Sequence, residues 1–144
     1  MCCFYAKIAW TLIINLITRR ERSPVESMFF ELMPVVEAKP YFRLVDRESA
    51  EDLLRGGIDG ACLVRPFKER DDSIKYVLSV YAQEKFFHLH LRQTEDGTFV
   101  VGLEKPIEKD FPSPIHCVDY YRHHNLRCIN SSGNVVVTLK PISE

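Results

Sequence analysis

At 144 residues the chain has room for one domain with an appendage, and a hydrophobic fraction of 46% is enough for a real core. Its 19 basic and 20 acidic side chains leave a formal net charge of −1, which excludes a molecule-wide field drawing it to nucleic acid or lipid, so any anion recognition must be local. Five cysteines, at 2, 3, 62, 117 and 128, make neither an even framework nor a CxxC pair; free thiols in a reducing, cytoplasmic setting are expected, with no metal and no cofactor.

Residues 2 to 18 are mostly apolar, but Lys7 interrupts them and the charge-free part, Ile8 to Ile17, contains Thr11 and Asn15. This falls short of the roughly 20 apolar residues of a spanning helix, and the n-region and cleavage site of a secretory signal are missing. The favoured expectation is an amphipathic or poorly ordered extension. The alternative is association of residues 1–22 with the inner face of the plasma membrane, through acylation of Cys2 and Cys3 beside the basic run Arg19-Arg20-Glu21-Arg22. Ser23-Pro24-Val25-Glu26 is a helix start, with a capping serine, an early proline and a glutamate three residues after the cap, and that helix should stop near Pro34. Val35 to Pro40 reads as an extended linker, because Lys39 precedes a proline. Residues 1–39 are thus an N-terminal extension, and a domain is expected over 40–141.

Asp46 can cap the next helix, Glu48 and Glu51 suit its positive end, and Gly56-Gly57 closes it. Ala50, Leu53 and Leu54 form its apolar stripe, and Arg47, three residues before Ala50 and seven before Leu54, is expected on that same inward stripe.

Asp59-Gly60 then turns into Ala61-Cys62-Leu63-Val64-Arg65, a run apolar on both of its faces that should be a central strand covered on both sides. Arg65 is the anomaly in it. A buried guanidinium costs several kcal/mol unless an anion and several acceptors satisfy it. Either a nearby carboxylate pairs with it structurally, or it lines a vacant anion site. A polar loop from Pro66 to Ser73 follows, then alternating strands at Ile74–Ala82 and Phe86–Arg92, the second carrying Phe87, Leu89 and Leu91 on one face and His88 and His90 on the other. These three strands form an antiparallel meander, and Thr98 to Leu103 adds a short strand after the Glu95-Asp96-Gly97 turn. Ser113-Pro114 starts a second helix, expected to carry Ile115, Val118 and Tyr121 inward and to end by Asn125; Val135 to Leu139 is the last strand. The order of elements predicts an α+β domain: a central antiparallel β-sheet flanked by one α-helix on each face.

Over residues 40 to 141 this pattern resembles the Src homology 2 domain, the phosphotyrosine-binding module. Asp59-Gly60-Ala61-Cys62-Leu63-Val64-Arg65 matches the family's D-G-x-F-L-V-R apart from Cys62. Arg47-Glu48-Ser49-Ala50-Glu51-Asp52-Leu53-Leu54 matches its R-x-x-A-E-x-x-L helix without a gap, and Tyr76-Val77-Leu78-Ser79-Val80, His88 and Phe111-Pro112-Ser113-Pro114 fall in register. The resemblance implies a phosphotyrosine site made by Arg65, Arg47, Lys68, His90 and His88. In it Arg65 takes the phosphate with a bidentate fork, Arg47 and Lys68 add charge, and His88 holds the core more than it touches ligand. It also implies that Leu89, Val101, Tyr121 and Leu126, the last in the loop after the second helix, contact apolar residues after the phosphotyrosine. The implied partners are tyrosine-phosphorylated proteins or peptides in intracellular tyrosine-kinase signalling, with no role for nucleic acid.

Several positions depart from the family. Its opening tryptophan is Pro40, a following glycine is Arg43, a basic residue on the fourth strand is His90, and the hydroxyl two positions after the buried arginine is Phe67. Loss of that donor favours a second reading, a phosphate-independent protein-docking module of the same fold. An enzyme would have to be built from Cys117 with His116, His123 or His124, which share one short helix without a base and its orienting partner, so no catalysis is expected.

Overall fold

The computed structural model of the protein describes residues 35–69, 73–102, 105–106 and 108–143. The apolar stretch, the Ser23-Pro24 helix and the acylation reading of Cys2 and Cys3 all lie outside the described residues. The chain divides into two compact units, Met1–Lys39 and Pro40–Glu144. In the first, Val36–Ala38 is a 3-10 turn where an extended linker was expected, although Lys39 itself is extended (φ −81°, ψ 147°), as a residue before proline must be.

The second unit opens with helix α1, Arg47–Leu54, where the side chain of Asp46 accepts a hydrogen bond from the Ser49 amide at 2.8 Å and so satisfies one of the unpaired N–H groups of the first turn. The helix ends as Gly56 adopts a left-handed φ of +80°. Strands β1 (Ala61–Pro66), β2 (Ile74–Ala82), β3 (Lys85–Gln93) and β4 (Phe99–Val101) pair antiparallel in sequence order, and the Gln83-Glu84 turn joins β2 to β3. Gly60 at the mouth of β1 has φ +96°, and a Cβ there would run into the carbonyl of Thr138, so the turn before the central strand needs glycine twice over. β1 is buried from Ala61 to Arg65, as a strand covered on both faces should be.

In the C-terminal third one element follows the sequence expectation and two differ from it. Helix α2 is Pro114–Tyr121 and ends by Asn125, with Cys117 and Val118 fully buried and Ile115 and Tyr121 half-buried. Leu126–Asn130 is a strand, β5, not a loop, and it pairs antiparallel with β6, Gly133–Val137, in a separate two-stranded sheet. The main sheet is closed instead by β7, Lys140–Pro141, which runs parallel to β1, giving the order β4-β3-β2-β1-β7. The sheet is therefore antiparallel in all but its last pairing. Among the described residues no helix is long and apolar enough to cross a membrane.

The cross-strand register sorts the side chains. Leu63, Ser79 and His88 form one row and Arg65, Val77 and His90 the next, on the face where α1 packs Ala50 and Leu54 against Ala61 and Leu63. Successive strand residues alternate, so Cys62, Val80 and Phe87, then Val64, Leu78 and Leu89, line the opposite face.

Candidate functional site

Arg65 is rooted in this sheet, and only 8% of its surface is exposed. Its partners are neutral. Nε donates to Ser79 Oγ at 3.1 Å and Nη2 to His88 Nδ1 at 3.4 Å, while Ser79 Oγ lies 2.8 Å from the same Nδ1. His88 Nε2 is 2.8 Å from Glu51 Oε1. A carboxylate only accepts, so Nε2 carries the proton and Nδ1 is the bare acceptor for Ser79 O–H and Arg65. The result is a directed chain from the β1 guanidinium through the β2 hydroxyl and the β3 imidazole to the carboxylate on α1. Among the described residues no carboxylate comes within ion-pair distance of Arg65.

The electrostatics agree with a cation held out of water. Burial, then the Arg47 charge, lowers the pKa of Arg65, while Asp46 and Glu51 oppose them. Burial also holds His88 below its ordinary 6.5 despite its bond to Glu51, with Arg47 and Arg65 adding to the effect. The carboxylate of Asp46 sits low, chiefly through its bonds to Ser49, and the charges of Lys68 and Arg65 help. The Arg47 charge thus acts on both Arg65 and His88, and that of Lys68 on Asp46. With Nε and one Nη2 hydrogen taken up, the guanidinium keeps Nη1 without a partner among the described residues. It can therefore offer a fork to two oxygens of one anion.

Two expectations on α1 are corrected. Arg47 is not turned inward: its side chain is 73% exposed, and its Nε reaches Glu51 Oε1 at 3.6 Å. A long side chain at the first helical position can leave the stripe and keep its charged end in water. Leu53, also assigned to the stripe, is 47% exposed. Ser79 and Glu51 are the site residues that sequence reasoning passed over. In the sequence Ser79 is one polar member of an alternating strand and Glu51 a dipole-favouring acid. The available signal is a small hydroxyl on a central strand directly opposite Leu63, one row from the buried arginine.

The remaining positions divide by face. His90 lies on the arginine side, where its ring meets that of Phe67 at 5.0 Å between centroids and 62° between planes, and Lys68 is exposed in the segment after β1. Leu89 lies on the other face of β3, half-buried, diagonal to Val101, which pairs with Leu91. Tyr121 on α2 packs its ring on Phe111 at 5.7 Å, and Phe111 in turn bridges to Phe99 on β4. Leu126, only 6% exposed, begins β5 and has little surface left for a ligand. Arg92 holds the segment beyond β4 in place, donating from Nε to the Gly102 carbonyl at 2.8 Å and pairing through Nη2 with Glu108 at 2.6 Å. Among the described residues no group of three or more His, Cys, Asp or Glu side chains could hold a metal ion.

A family model described as "SH2 domain" matches residues 41–121. The chain is 31% identical to the B-cell linker protein of Gallus gallus over 96 residues, covering 65% of this chain and 17% of the relative. It is 27% identical to the B-cell linker protein of Rattus norvegicus and 28% to that of Mus musculus, in each case over 114 residues covering 77% of this chain and 25% of the relative. The chain thus spans a quarter or less of the length of these curated relatives. The matched segment runs from Tyr41 to Tyr121 and contains both the buried arginine and the α1 residues beside it, and on that ground the chain belongs to the SH2 domain family, the phosphotyrosine-binding modules.

Proposed function

We propose that residues 40–141 are a phosphotyrosine-peptide-binding adaptor module of intracellular tyrosine-kinase signalling, and that residues 1–39 are an extension appended to it. The observation that carries this reading is the Arg65 guanidinium, buried, held by neutral partners and left with an open fork. A phosphotyrosine brings roughly −1.5 to −2 charge and three strong acceptor oxygens to that fork, and its length lets the phosphate reach a guanidinium rooted in the sheet. Arg47, at the helix end, and Lys68, at the rim, add charge that an exposed position makes weaker but still useful for capture. His88 serves as a positioning residue for Arg65.

Beyond the phosphate, the peptide crosses β3 to the opposite face, where Leu89, Val101 and Tyr121 offer apolar surface. Such a groove favours hydrophobic side chains at the first and third positions after the phosphotyrosine, each contributing roughly 1.5–3 kcal/mol if fully covered. A non-catalytic role is supported by Cys117, the nucleophile considered for an enzyme, which is fully buried with its thiol pKa raised by burial. The free, buried thiols of Cys62, Cys117 and Cys128 support a reducing cytoplasmic setting. Attachment to the inner face of the plasma membrane through residues 1–22 rests on Cys2, Cys3 and the basic run alone.

Selection from a phosphotyrosine peptide library, with the same library unphosphorylated, tests the reading. Recovery of phosphorylated sequences with apolar residues at the first and third positions is expected. Equal recovery from the unphosphorylated pool would favour the phosphate-independent docking module, and acidic residues at both positions would sink the proposed groove.

A further inference from the structure

Phe67 stands where a hydrogen-bond donor to the anion was expected, yet its ring is part of the same pocket. Its N–H donates to the Lys75 carbonyl at 3.2 Å, so the β1–β2 ladder continues one step past Pro66 and Phe67 projects to the same side as Arg65. The contact with His90 places it there independently, because His90 lies in one cross-strand row with Val77 and Arg65. Phe67 and His90 are both half-buried and meet edge to face, an arrangement in which each ring fixes the other's orientation. An apolar ring with surface to spare therefore borders a guanidinium whose fork is open. Water solvates that surface poorly, and the phosphate does not need the missing hydroxyl if Arg65 supplies two donors.

We propose that Phe67 and His90 form an aromatic wall that binds the phenyl ring of the ligand, so that this pocket selects aryl phosphates by ring contact where a hydroxyl donor would otherwise grip the phosphate. The inference rests on the phosphotyrosine reading and adds to it a role for these two residues. It separates two contributions that a donor would merge: Arg65 reads the charge, and the wall reads the aromatic ring. A phosphorylated serine, with no ring, would gain nothing from the second.

The test is NMR titration of the full chain with phenyl phosphate and, separately, with inorganic phosphate, for the parent, Phe67→Ser and His90→Ala, with thermal unfolding to establish that each variant is folded. A ring–ring contact is worth about a two- to tenfold change in affinity. Phe67→Ser should weaken phenyl phosphate by about that factor and leave inorganic phosphate unchanged, His90→Ala should act in the same direction, and the parent should show intermolecular contacts between ligand ring protons and Phe67. If Phe67→Ser binds phenyl phosphate as well as or better than the parent, the ring is only a lost donor and the proposal is overturned. Failure of the parent to bind phenyl phosphate would overturn it together with the phosphotyrosine reading, whereas binding abolished in Arg65→Ala but unaffected in both aromatic variants would leave that reading standing and remove this one.

Discussion

Ser79 carries more of the site than its size suggests, because its hydroxyl both accepts from Arg65 Nε and donates to His88 Nδ1. Ser79→Ala leaves a buried guanidinium N–H without an acceptor, which should cost about 1–3 kcal/mol of stability, read as a lower urea midpoint, together with weaker phosphopeptide binding from a less constrained fork. His88 gives the same chain a pH dependence. Its folded pKa is depressed below 6.5, so above that value both folded and unfolded states hold it neutral and its contribution is complete. As pH falls below 6.5 the unfolded chain takes up the proton first, and stability drops until the folded value is passed. Unfolding free energies between pH 7.5 and 5 should therefore decline in the parent with a component missing from His88→Gln. Arg65 itself was legible in the sequence, since a cation closing a run apolar on both faces must meet either a carboxylate or a ligand anion. Its partners were not, because a serine and a histidine in alternating strands reveal their connection only once the register is known.

Among the elements, the helices owe their positions to short polar signals. Ser113 Oγ accepts from the His116 amide at 3.3 Å and lies 2.7 Å from His116 Nδ1, with Pro114 preorganising the first turn. Ser113→Ala should cost about 0.5–2 kcal/mol, seen as a lower thermal midpoint, and should loosen the end of α2 that packs near β4. Caps, glycines and alternation made α1, α2 and β1 to β4 legible, because each depends on residues within one or two turns. β5 and β7 were hidden for opposite reasons. Leu126-Arg127-Cys128-Ile129 does alternate buried and exposed, but the strand begins only four residues after a helix ends and contains residues with weak strand preference. Lys140-Pro141 has no pattern to read: two residues become a strand only because β1 offers an edge, and Cys62 O accepts from Ile142 N at 3.0 Å to hold them there.

Across the molecule as a whole, the proposed function assigns one kind of recognition to each face of the main sheet. The α1 face holds the buried Arg65 guanidinium and the opposite face holds Leu89 and Val101, with the Phe111–Tyr121 rings beside β4, so on the proposed reading an extended peptide crossing β3 meets charge first and apolar surface second. With a net charge of −1, any field that attracts such a ligand must be local and not come from the molecule at large. Both kinds of recognition depend on Arg65 being an anion site and not a structural cation. Titration of a single phosphotyrosine peptide against the parent and Arg65→Ala, with thermal unfolding of both, decides it. Loss of a charge-assisted bidentate contact should weaken binding by about 2–5 kcal/mol, while the thermal midpoint holds or rises because a desolvated charge has been removed. Equal affinity for the two proteins, or an Arg65→Ala chain that no longer folds, would contradict it.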